Sequence, residues 1–192
     1  MLPIGTLMPT FSLPDVRDGE PRRLVASSDL SGRSAVVAFI CNHCPYVKHI
    51  RSELAAFGRE CQALGVGMVA ISSNDAIAYP ADGPEAMAEE ARTYGYVFPY
   101  LFDEDQSVAQ LFHAACTPDF YLFDAAGTLA YRGQFDDSRP SNGKPVTGAD
   151  LRAARDAVLA GHPPSSQQRP SIGCNIKWKP GHEPEYFGVV PR

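Results

Sequence analysis

Apolar positions along this chain follow two rhythms, and their alternation predicts an α/β architecture. Ser34 to Cys41 reads Ser-Ala-Val-Val-Ala-Phe-Ile-Cys, a continuous apolar run. Its length and β-branched content predict a strand buried on both faces of a sheet. A helix follows. Val47, Ile50, Leu54, Phe57, Cys61 and Leu64 recur at steps of three and four and make one stripe, while Lys48, Arg51, Glu53 and Arg59 fall on other faces. Gly65 supplies a stop, and Gly67 to Ser72 is the next buried strand. Strand–helix–strand implies a parallel pair with a right-handed crossover.

The rest of the chain continues the pattern. Phe11 to Pro14 is a short extended piece, and residues 16–23 are polar and turn-rich, which predicts a surface hairpin or loop. Asp82-Gly83-Pro84-Glu85 starts a helix that runs to about Tyr94, with Pro at its first position. Pro99 to Phe102 is extended. Asp105 is placed to cap a helix carrying Val108, Leu111 and Phe112. Asp119 to Phe123 is a strand, 124–127 a turn, and Thr128 to Arg132 the returning strand. That hairpin makes the central sheet mixed. Thr147 to Asp150 opens a last helix with Leu151, Ala154, Val158 and Leu159. From His162 onward Pro163, Pro164, Pro170, Pro180, Pro184 and Pro191 exclude a long helix. Ile172, Ile176, Trp178, Tyr186 and Phe187 give this stretch apolar content. The expected organisation is a domain over 1–162 and an irregular Pro-rich extension over 163–192, packed on the domain or on a partner.

Composition changes the picture in only a few respects. The 192 residues suffice for a substantial core without disulfide staples. A net charge of -5 gives no reason to expect nucleic acid or an anionic membrane. The N-terminus lacks a basic stretch followed by an apolar one, and no run is long enough to span a bilayer, so the expected location is the cytoplasm. The five cysteines, Cys41, Cys44, Cys61, Cys116 and Cys174, are an odd number. Together with the lack of an export signal this argues against a disulfide framework. A close pair then means catalysis, redox sensing or metal.

Cys41-Asn42-His43-Cys44 sits where a buried strand ends and a helix begins. Unpaired amide N–H groups and the helix dipole stabilise negative charge there, and the thiolate is the reactive form of cysteine. Cys41, the outer residue, is the expected nucleophile. Cys44, one turn in, would resolve the mixed disulfide. Pro45 costs little in a first helical turn. Asn42 and His43 would tune the redox poise, and a positive His43 would make the disulfide more oxidising than that of a Cys-Gly-Pro-Cys site. Zinc is the competing reading, since Cys41, His43, Cys44 and His49 are all ligand types. No second C-x-x-C or H-x3-H follows, so no metal is expected. No Gly-rich phosphate loop or Ser–His–Asp order stands out, and no cofactor is expected. Cys61 lies on the apolar stripe as core filler.

Val36 to Ile40, the motif Cys41-Asn42-His43-Cys44-Pro45-Tyr46-Val47-Lys48 and the later Cys116-Thr117-Pro118-Asp119 resemble the redoxin branch of the thioredoxin superfamily, in particular its peroxiredoxin-like subgroup with Cys-Asn-His-Cys-Pro. Tyr131-Arg132-Gly133-Gln134, Asp136 to Pro140 and Pro170 to Trp178 share that resemblance. It implies a thioredoxin-like fold and thiol–disulfide exchange at Cys41 and Cys44. It implies a cis Pro118 facing the pair and Thr117 offering backbone groups to an extended substrate. The partners would be a disulfide substrate and a thiol electron donor, and the protein a monomer or homodimer. Peroxiredoxins place Thr or Ser three residues before their reactive Cys and an Arg near the later strand. Here those places hold Cys41 and Thr117-Pro118, which favours exchange over peroxide reduction. A thiol peroxidase and a non-enzymatic redox sensor remain the alternatives. Cys116, two residues before Pro118, and Cys174, in the irregular tail, are possible additional thiols.

Overall fold

The computed structural model describes residues 2–17 and 22–187. Residues 18–21, within the polar turn expected over 16–23, and 188–192, the end of the expected extension, lie outside them. The most apolar run forms β3 (Ala35–Phe39), after a small antiparallel pair of β1 (Ser12–Pro14) and β2 (Leu24–Ala26). All five residues of β3 are buried, as a strand covered on both faces must be. α1 (Pro45–Ala63) follows with Val47, Ile50, Leu54, Phe57 and Cys61 turned inward. Leu64, the last of the apolar stripe, is its C-cap and is exposed. Gly65 then takes φ +71°, a left-handed conformation that ends the helix.

β4 (Gly67–Ser72) lies parallel to β3, and β5 (Tyr100–Phe102) parallel to β4. Between them runs α2 (Pro84–Tyr94). α3 (Ser107–Leu111) starts after a Gln106 N-cap at φ 64°, not at Asp105. Buried Asp103 explains the shift, since its carboxylate takes the N–H groups of Val108 and Ala109, while Asp105 takes that of Ser107. β6 (Cys116–Thr117) is two residues long, and β7 (Asp119–Phe123) and β8 (Leu129–Gly133) make the antiparallel hairpin. α4 (Ala149–Leu159) and β9 (Cys174–Asn175) complete the elements. The main sheet has the order β5-β4-β3-β7-β8 and is mixed.

Two apolar clusters cover the sheet. One joins α1, α2 and α4 to Val36, Ala38, Phe120 and Leu122. The other, on the opposite face, holds Val37, Phe39, Tyr121, Phe123, Phe112 and, from the tail, Ile176 and Trp178. The tail is therefore tied into the molecule. Gln134 N–H donates to Arg169 O, Ser171 Oγ to Gly133 O, and Ile176 N–H to Ala115 O. No helix among the described residues is long and apolar enough to cross a membrane.

Candidate active site

Four residues between the end of β3 and the start of α1 carry the redox motif. Cys44 is the N-cap of α1 and Pro45 its first residue. The carbonyl of Cys44 accepts the N–H of Lys48 at 2.9 Å, the first bond of the helix. The Thr117–Pro118 peptide is cis, and Thr117 meets both sulfurs. Its hydroxyl lies 3.3 Å from Cys41 Sγ, and its carbonyl oxygen lies 3.2 Å from Cys44 Sγ. Cys41, Cys44, Thr117 and Pro118, far apart in sequence, thus form one cluster.

Neither sulfur of the pair lies open to solvent. Cys41 is 1% exposed and Cys44 0%. Beside the pair the tail lays β9 against β6, with Thr117 opposite Cys174. The hydrogen bonds around the pair favour Cys44 as the first sulfur to lose its proton. The S–H of Cys41 hydrogen-bonds to Cys44 and, against the opposing effect of burial, pulls Cys44 down to about 4, aided by backbone N–H groups of Cys174 and Val47. The same hydrogen bond, with burial and the nearby Asp82 carboxylate, holds Cys41 above the usual thiol range. These contacts, at the helix N-terminus, favour loss of the pair's first proton from Cys44, whose S–H otherwise donates to Thr117 O.

Asp82 is the functional residue that sequence reasoning missed. It was read as a helix start, yet Gly83 caps α2 and Asp82 is fully buried beside the motif. One carboxylate oxygen accepts the N–H groups of Asn42 (2.8 Å) and His43 (3.1 Å). The other accepts Asn74 Nδ2 at 2.8 Å and pairs with His43 Nδ1. The His43 ring stacks on Tyr79, 5.2 Å between centroids. Asp82 therefore holds the His43 ring in place beside the motif. Asn42 donates to Ala81 O and accepts from Tyr100 Oη, so its side chain fixes the loop. Cys41, His43 and Asp82 bring ligand-type atoms within 4.8 Å of one another. With both Asp82 oxygens already hydrogen-bonded, the cluster is a positioning network.

The remaining thiols differ in place. Cys61 is buried in the core under α1, and burial raises it to about 11. Cys116 and Cys174 are half-buried, on facing strands β6 and β9. Asp136 accepts the N–H groups of Thr147 and Gly148 ahead of α4 and serves the turn.

Residues 4–132 match the model of the AhpC/TSA family. The chain belongs to the AhpC/TSA family. Among curated proteins no relative matches it. Two solved structures resemble this AhpC/TSA protein over nearly their whole length. An uncharacterized conserved protein from Geobacillus kaustophilus is 53% identical, with a TM-score of 0.90 over 94% of this chain and 95% of that one. A hypothetical protein from Sinorhizobium meliloti 1021 is 49% identical, with a TM-score of 0.90 over 94% and 97%. A secreted Mycobacterium tuberculosis disulfide oxidoreductase is 18% identical, with a TM-score of 0.56 over 79% and 95%, and shares the fold. The protein is a redoxin with a thioredoxin-like fold. Among its described residues no arginine hydrogen-bonds to either sulfur. Arg132 instead pairs with buried Asp119 and lies over the Tyr121 ring.

Proposed function

We propose that this protein exchanges thiols and disulfides through Cys41 and Cys44. The observation that carries the reading is the sulfur pair at the α1 N-terminus, with Cys41 Sγ against the Thr117 hydroxyl and the Cys44 S–H donating to the Thr117 carbonyl. In the reducing direction the Cys44 thiolate attacks one sulfur of a disulfide and expels the other as a thiolate. Cys41 attacks Cys44 Sγ, releases the second substrate sulfur and leaves a Cys41–Cys44 disulfide. Two thiols are oxidised and one substrate disulfide is reduced. The direction in use depends on the partners' potentials.

Peroxide reduction is the second reading, favoured by the Cys44-Pro45 step and the family. Against it, the residue three before Cys44 is a thiol, and among the described residues no arginine hydrogen-bonds to either sulfur, where it could stabilise a peroxide oxygen. The test is catalysis of insulin reduction by dithiothreitol, run beside peroxide consumption with the same dithiol. The wild-type protein accelerates insulin reduction, and Cys44→Ser returns it to the uncatalysed rate. Peroxide turnover without disulfide turnover would replace this reading with the peroxidase.

A further inference from the structure

The two thiols of the centre are buried, and the strand of the tail beside them carries a third. β9 pairs with β6 so that Thr117 stands directly opposite Cys174. The approach is as close as glycine permits, because a Cβ on Gly173 would lie 1.9 Å from Thr117 O. Residues directly opposite in an antiparallel pair present their side chains on the same face. The Thr117 hydroxyl meets Cys41 Sγ, so that face looks onto the sulfur pair. Cys174 shares it, while Cys116 and Asn175 stand on the other. Thr117, opposite Cys174, also has its carbonyl 3.2 Å from Cys44 Sγ, which puts Cys174 beside Cys44, and Cys174 enters the electrostatics of that sulfur. The strand is pinned at its far end, where Lys177 N–H donates to Asn74 Oδ1, and Gln106 Nε2 donates to Lys177 O. Cys174 is half-exposed, whereas Cys41 and Cys44 are not exposed at all.

We propose that Cys174 is a third redox thiol of this centre, relaying disulfides between a substrate at the surface and the buried Cys41–Cys44 pair. The proposal rests on the exchange reading above. A substrate disulfide meets Cys174, which forms a mixed disulfide, and the Cys174 proton leaves with the first substrate thiol. The Cys44 thiolate attacks Cys174 Sγ. A Cys44–Cys174 bond forms, the bond to substrate breaks, and the second substrate sulfur leaves as a thiolate that takes a proton from water. Cys41 then attacks Cys44 Sγ, and its proton passes to the departing Cys174 sulfur. The pair ends oxidised, Cys174 ends as a thiol, and the substrate has gained two electrons. The reverse sequence serves oxidation.

The test uses the full chain and oxidised glutathione as the substrate. Cys41→Ser protein is incubated with it, free thiols are blocked, and the unreduced digest is mapped by mass spectrometry. The expected result is a peptide linking Cys44 to Cys174, with both halves of the glutathione released. A lasting glutathione adduct on Cys44 beside a free Cys174, or no reaction at either thiol, overturns the relay. Cys41→Ala is mapped in parallel, in case serine packs poorly among the buried groups. In an otherwise unaltered chain, Cys174→Ser slows formation of the Cys41–Cys44 disulfide and Cys116→Ser does not; equal rates for Cys174→Ser and wild type also overturn the relay. The wild-type map reads the exchange claim separately. If it links Cys41 to Cys44 while the variants link nothing, the relay falls and the exchange reading stands.

Discussion

At the scale of single residues, function turns on which sulfur holds the charge. The pattern Cys-x-x-Cys at a helix start was legible in the sequence, and the structure places both sulfurs there beside Thr117. Which of the two first loses its proton was not legible, because it depends on hydrogen bonds from Val47, Cys174 and Cys41 itself. A pH titration of thiolate absorbance is therefore expected to show one inflection near 4 in the reduced protein. Cys41→Ala removes the main donor and moves that inflection upward; an unmoved inflection would mean that the backbone donors suffice. The sign for stability follows from the lowered value. Cys44 contributes stability that is full above its ordinary value of 9.0 and is lost as pH falls through about 4. Asp82 was invisible as a site residue for a different reason. Its Asp-Gly-Pro context matches a helix start, and only the folded chain brings it 39 positions back to His43.

At the scale of elements, the long ones and the three-residue β1 and β5 were legible, and the two-residue β6 and β9 were not. β3, α1 and β4 carry enough apolar positions to declare their period, and the structure places them within a residue or two of the expectation. β6 and β9 have two residues each, and no periodicity exists over two residues. Their pairing depends on a close backbone approach at Gly173. Gly173→Ala must push β9 away from Thr117. The expected cost is about 1–3 kcal/mol, in the range of overpacked sites. Denaturant unfolding measures that cost, and the same variant should expose the sulfurs, so that iodoacetamide modifies Cys44 faster than in the wild type. A stable variant with unchanged labelling would show that β9 does not seal the site.

At the scale of the whole molecule, the sheet supplies a rigid floor and the helices and tail close over one end of it. α4 is fastened to α1 through Glu60, which accepts hydrogen bonds from Arg152 (2.7 Å) and Arg155 (2.8 Å). Chiefly the Arg152 hydrogen bond lowers Glu60 from 4.5 to about 2. A lowered carboxylate gives stability that is present above its unfolded value and lost as pH falls through the folded one. Thermal unfolding midpoints should accordingly fall between about pH 4.5 and 2, and Glu60→Gln should flatten that part of the curve. The pairing of β9 with β6 was not legible, because no local signal marks a strand of two residues. The redox function itself is tested most directly by equilibrating the wild-type protein with glutathione buffers of stepped potential and mapping its disulfides at each step. The account predicts one transition, with Cys41 linked to Cys44, at a potential above the roughly -270 mV of thioredoxin, because a stabilised Cys44 thiolate favours the reduced form. A pair that stays reduced at every potential, or that gains only glutathione adducts, would contradict it.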